Sequence, residues 1–310
     1  MMASIIPTGE IRLNGAPMPD RMREHSETLL SDYEDSGLAP PHLRTEIAKG
    51  CEGETQKFHA CLWEAMLYRH FRHLGFEFRR DRVTRSGQNG PDLGLIRKDK
   101  TIWIEATVPM PEGIPPNWLS PFPGSVQKMP DEEIVLRWTA ALREKNNKRV
   151  TLLQKKRIRP EDAYVVAVNS CMLSDFPDLD HGVSQFPFAV EAAFPIGPIQ
   201  VPFTKTQTGA VHAGPARHSL RYFIKNPKGI DVRTDNFLNP DYAGIGMLIG
   251  CSRAHMLDAK LPLIGAYNPL AHNPVAVGVL GIGTEYVAEK RSEEEYELRT
   301  IADPPGLAGD

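Results

Sequence analysis

Residues 163–169, AYVVAVN, form a continuous apolar run of strand length. A run without polar alternation suits a strand buried on both faces, and such strands belong to sheets covered by helices. The chain before it supplies those helices. Residues 54–74, ETQKFHACLWEAMLYRHFRHL, read as a helix stopped by Gly75. FEFRRDRV follows as a strand candidate, then the turn-rich RSGQNG. DLGLIR and TIWIEATV are two strands joined through a KDK turn. Residues 110–130 carry six prolines and form a long irregular excursion, and residues 131–153 return to an amphipathic helix. Residues 54–169 thus read helix, three strands, helix, strand.

Outside that block the signals differ. The first 45 residues are rich in Pro, Gly and charge, with one short helix around DRMREHSETLLSDYEDS. After about residue 175, short apolar runs alternate with Pro and Gly, as in AAFPIGPIQVPF. The expected organisation is an N-terminal arm or cap (1–50), an α/β core (51–175) and a β-rich extension (176–310). The extension either continues the core's sheet or forms a second layer.

The formal net charge is −3, so any nucleic-acid-binding surface must be local. Cys51, Cys61, Cys171 and Cys251 are far apart, as expected for free thiols of a reducing compartment. No secretory signal and no apolar run of membrane-spanning length is visible, and the expected location is the cytoplasm. His70 and His73, with His59 one face away, lack a fixed third ligand for zinc.

The acids that break pattern are the candidate site. In TIWIEATV, Ile102, Ile104, Ala106 and Val108 face one way, and Thr101, Trp103, Glu105 and Thr107 the other. An acid inside such a strand is costly unless solvated, paired or holding a metal. If the two strands form a hairpin through KDK, Asp92, just after Pro91, lies beside Glu105. Two carboxylates so placed repel unless a proton or divalent cation sits between them. Glu64 stands in an apolar helical stripe with Ala60, Cys61, Leu67, Tyr68 and Phe71. Each acid also has an ordinary reading: Glu64 paired with Arg79, Arg80 or Arg137, and Glu105 facing water at a sheet edge.

This element order, with "PD" at Pro91-Asp92 and a strand-borne Glu105 thirteen residues on, resembles the core of the PD-(D/E)XK nuclease superfamily over residues 54–170. FLNPDYAGI and NPLAHNPV also resemble uncharacterised bacterial proteins with this kind of core. The resemblance implies a restriction-endonuclease-like αβββαβ core with a mixed central sheet. It implies that Asp92 and Glu105 hold Mg²⁺ or Mn²⁺, with Glu64 as third ligand or water-positioning base. The metal would polarise the scissile phosphate and help generate the attacking hydroxide. The motif ends in lysine, whereas this chain reads Glu105-Ala106-Thr107. Threonine offers only hydrogen bonding. A substitute cation is expected from the next helix, where Arg137, Ala141, Lys145 and Lys148 share one face, with Lys145 first and Lys148 second. The ordinary reading of REKNNKR is a solvated helix end. Arg79, Arg80, Arg82 and Arg85 precede the PD loop and, with Lys148, are the expected phosphate contacts. Trp118 and Phe122 either stack on bases or pin the proline-rich loop to the body.

The expected function is therefore Mg²⁺-dependent phosphodiester hydrolysis, with DNA as substrate. Cutting both strands of a duplex would favour a homodimer. The alternative that Thr107 favours is a degenerate nuclease-like module that binds nucleic acid or a protein partner without cutting it. A different hydrolase or effector reusing the fold is the third.

Overall fold

The computed structural model describes residues 4–7, 12–13, 16–79, 90–120, 124, 126–174, 176, 180–206, 209–254, 261–292 and 296–302. Its centre is a mixed sheet of eight strands: β1 (Glu77–Phe78), β2 (Leu93–Arg97), β3 (Lys100–Thr107), β4 (Ala163–Asn169), β5 (Met247–Cys251), β6 (Ile264–Tyr267), β7 (Thr284–Lys290) and β8 (Tyr296–Ala302). Their order in space is their order in the chain. β1 to β3 form an antiparallel meander, β3, β4 and β5 run parallel, β6 is antiparallel to β5, β7 is parallel to β6, and β8 is antiparallel to β7. Six α-helices are formed among the described residues: α1 (Asp20–Asp35), α2 (Leu43–Cys51), α3 (Thr55–His73), α4 (Pro116–Leu119), α5 (Asp131–Gln154) and α6 (Phe188–Ala193). The protein is α/β with a large mixed sheet.

Burial on both faces explains the apolar run of β4, whose seven residues are all buried. Val165 and Ala167 join the core that α3 covers, while Tyr164, Val166 and Val168 join the core under α5 and α6. β3 follows the same period of two. Ile102, Ile104 and Ala106 pack on the α3 side, and Trp103 joins the α5 core that also holds Trp138 and Leu142. The β2–β3 hairpin closes through Lys98-Asp99, with Lys98 at φ 55° and Arg97 paired with Lys100. That tight turn fixes the register, and a slip of one residue would exchange the two faces.

The N-terminal segment holds two helices where the sequence suggested one. α1 and α2 lie on α3, burying Leu29, Leu30, Tyr33, Leu43 and Ile47. At Gly50 an added Cβ would come within 2.6 Å of the Phe58 side chain, so α2 ends in close contact with α3. Nine residues are too few to make a helix stable alone, and α2 draws its stability from this packing. Of the expected strand FEFRRDRV, Glu77 and Phe78 form β1; Arg80, Arg82 and Arg85 lie outside the described residues.

The C-terminal half does continue the first sheet, through β5 to β8. Between α6 and β5 the chain also forms three two-stranded antiparallel ribbons: Ile196–Gln200 with Arg217–Leu220, Phe203–Lys205 with Val211–Ala213, and Phe223–Lys225 with Asp231–Arg233. All four cysteines are free. No helix among the described residues is long and apolar enough to cross a membrane.

Candidate functional site

Asp92 stands at the entrance to β2. Its N–H donates to the carbonyl of Ile104 at 3.0 Å, and its Oδ2 accepts from the N–H of Ala106 at 2.7 Å. The hairpin register therefore carries Asp92 to the flank of Glu105. Gly94, two residues on, faces Trp103, where an added Cβ would lie 2.5 Å from the indole ring. Positions 92, 94, 103 and 105 share one face of the sheet, the face that α5 covers. Both acids are buried, Glu105 with 1% of its surface exposed.

Helix α5 brings the opposite charge. Lys145 and Lys148, three residues apart, extend from one helix face toward the sheet. Lys148 Nζ donates to Glu105 Oε1, and Lys145 Nζ lies 3.5 Å from the same oxygen. The other oxygen, Oε2, accepts from Tyr164 Oη at 3.4 Å. Burial first, and the charge of Asp92 second, push the Glu105 pKa up to about 7 against the pull of both lysines. Burial works against the charge on Lys145, yet Glu105, Glu144 and Asp92 outweigh it and raise its pKa. Burial and the two acids drive the Tyr164 phenol well above its ordinary range, so it donates as a neutral hydroxyl.

One residue further, Arg149 packs on bare backbone. A Cβ at Gly244 would lie 1.9 Å from Arg149 Nη1. Asn146 Nδ2 donates to the carbonyl of Asp241 at 3.0 Å and ties that loop to α5. Burial lowers the Arg149 pKa, and its charge bears on Tyr164. Its buried Nε has no hydrogen-bond partner, and among the described residues no carboxylate pairs with it. A half-buried guanidinium without a counter-charge is suited to an anion arriving from outside.

The other expected residues are placed as follows. Thr107 is half-buried at the end of β3, opposite Val168 of β4. Glu64 is on α3, the helix of the other sheet face, where Tyr33 Oη donates to it at 3.0 Å. Among the described residues no group of three or more His, Cys, Asp or Glu is placed to hold a metal ion, so the carboxylate donors brought together are Asp92 and Glu105. Arg79 lies over the Trp103 ring at 5.7 Å and donates to Thr101 Oγ1 at 3.2 Å. Arg137 pairs with Glu112 at 2.9 Å. Trp118 is buried, 4.9 Å from the Phe176 ring, and pins the proline-rich loop to the body; Phe122 lies outside the described residues. His70 is bonded to the carbonyl of Leu280 at 3.0 Å.

Tyr164 and Arg149 are the residues sequence reasoning missed. A lone phenol in an otherwise aliphatic strand was the only signal for Tyr164. Arg149 was visible only as the last residue of the basic segment REKNNKR, because its setting depends on Gly244, far along the chain. Comparison with protein-family models, with curated proteins and with solved structures returns no match.

Proposed function

We propose that the protein is a divalent-metal-dependent phosphodiester hydrolase acting on DNA, with a restriction-endonuclease-like core formed by α3, β1 to β3, α5 and β4. The observation that carries this reading is the pairing of Asp92 and Glu105 on one buried face with Lys145 and Lys148 supplied from α5. The lysine that the motif lacks at Thr107 is thus replaced from the helix. Two adjacent buried carboxylates, one with a pKa raised by burial and then by its neighbour, fit a divalent cation, which would relieve their repulsion.

Asp92 and Glu105 would hold Mg²⁺ or Mn²⁺, which when bound supplies Lewis-acid polarisation of the phosphate and activation of water. The N–H of Ala106 fixes the Asp92 carboxylate, so its orientation needs no reorganisation. Lys148 now neutralises Glu105; with the acid pair neutralised otherwise, its ammonium can turn to a phosphate oxygen. Arg149 adds a further cation whose Nε has no hydrogen-bond partner. Tyr164 holds Glu105 Oε2 and keeps that carboxylate facing the site.

The same lysine contact favours a second reading. A Glu105 already bonded to Lys148 and approached by Lys145 is a self-satisfied knot, as a binding module without turnover would have. Calorimetric titration of Mg²⁺ and Mn²⁺ into the parent, Asp92→Ala and Glu105→Ala proteins, followed by plasmid nicking, separates the two. Binding lost in both variants together with nicking supports the nuclease. Metal-independent DNA binding without nicking supports the module, and no metal binding by the parent overturns the metal site.

A further inference from the structure

Residues 196–233 stand apart from the rest of the chain in both charge and exposure. They hold six Lys and Arg against one acid, Asp231, in a chain of net charge −3. They also hold eight of the sixteen exposed large apolar residues found among the described residues, including Phe203 at 69% and Phe223 at 54%. The first two ribbons are one continuous hairpin, since Gly214 N–H donates to Pro202 O at 2.7 Å between them. Its ten-residue outgoing strand spans about 30 Å. An isolated two-stranded ribbon is marginal in water, and exposed apolar surface on one marks a place where something docks.

The pattern on the ribbons is specific. Both FTK (Phe203–Lys205) and FIK (Phe223–Lys225) put a phenylalanine and a lysine two residues apart, hence on the same face of a strand. In the third ribbon the other face is taken up by the body, because Ile224 is buried in the α5 core. Phe223 and Lys225 are left outward. Lys205, Arg217 and Lys228 are exposed and have no carboxylate partner among the described residues. The third ribbon and α5 form a groove lined by Arg137, Arg143, Asn226 and Val232. Arg143 precedes Lys148 by about 7.5 Å along the helix axis. The ribbons therefore adjoin the helix that supplies the lysines of the carboxylate site.

Arg221 anchors the hairpin. It donates to Asp131 Oδ2 of α5 at 2.6 Å and to Glu191 Oε2 of α6 at 2.5 Å. All three residues are mostly buried, and the bidentate clamp fixes the direction in which the hairpin leaves the body.

We infer that the ribbons of residues 196–233 bind a single nucleic-acid strand, with phosphates on Lys205, Arg217 and Lys228 and unpaired bases stacked on Phe203 and Phe223. Exposed rings alternating with cations are the arrangement that sequence-tolerant single-strand binding uses. A second copy of this chain is the poorer occupant, since a two-fold contact would set one cationic ribbon against another. The inference deepens the nuclease reading, and rests on it only for what happens to the strand once bound.

The test is anisotropy titration of a fluorescent 20-nucleotide single strand, and of its duplex, in EDTA at several salt concentrations. The parent should bind the single strand more tightly. Lys205→Glu/Arg217→Glu/Lys228→Glu should weaken binding on the order of tenfold or more and reduce the salt slope by about two. Phe203→Ala/Phe223→Ala should weaken it on the order of tenfold or more while leaving the slope unchanged, a separation that general unfolding would not produce. If the parent binds the single strand as expected but does not cut it in Mg²⁺, the ribbon assignment stands and the nuclease reading falls. The assignment is overturned if both ribbon variants bind like the parent, or if the duplex binds more tightly. It is also overturned if the phenylalanine variant turns a dimer into a monomer at unchanged affinity.

Discussion

Glu105 makes the folded protein carry a burden that pH can lift. Its pKa rises from an ordinary 4.5 to about 7 on folding, mainly through burial and then through Asp92. Between those values the native state binds a proton that the unfolded chain has released. The contribution of this group is therefore fully present below about pH 4.5, fades as pH rises and is gone above about pH 7. Urea unfolding at pH 5 and pH 8 should show the parent losing more stability than Glu105→Gln over that interval, by on the order of 3 kcal/mol. Equal losses would mean that Glu105 ionises normally. Glu105 was legible in the sequence because it interrupts an apolar strand, Asp92 because a hairpin through KDK sets the residue after Pro91 beside it, and Lys145 and Lys148 because helical spacing aligned them. Glu64 shows the limit. Periodicity says that it points inward, but the sheet face its helix covers is decided by long-range packing.

Elements were readable where one local rule dominated. The bounds of α3 and α5 fell within a residue or two of their periodic patterns, and β4 matched its apolar run. α2 and the ribbons escaped for a shared reason: their stability comes from tertiary contacts rather than local pattern, packing on α3 for one and the pairing of Arg221 with Asp131 and Glu191 for the other. The Arg221 clamp gives this scale its prediction. Asp131 and Glu191 are buried acids whose charge Arg221 offsets, and removing one member of a buried ion group leaves charge uncompensated. Arg221→Ala should lower unfolding free energy by about 3–5 kcal/mol in urea titrations, whereas the exposed-pair variant Lys225→Ala should change it by less than about 1 kcal/mol. Similar small effects for both would remove the clamp as the anchor of the hairpin.

Over the whole molecule, the segment read as a nuclease core is not self-covering. β4 is paired on one side by β3 and on the other by β5, which lies in the C-terminal half. A protein cut to residues 51–175 would present the buried strand AYVVAVN as an open edge, the kind of surface that recruits other chains. Expressed alone, that piece should be insoluble or elute as large aggregates on size exclusion, while the full chain stays dispersed; a monodisperse, cooperatively melting fragment would show the opposite. The strand order carries this further, into synthesis on the ribosome. Since neighbours in the sheet are successive in the chain, each strand emerges to find its partner already in place, and none has to be threaded between two earlier ones. The carboxylates and lysines have all emerged by residue 148, while β4 must wait for residue 247 before its second edge is sealed. For that interval the nascent protein carries its buried acids and their lysines beside an unpaired apolar strand edge, a window in which a chaperone would have most to do.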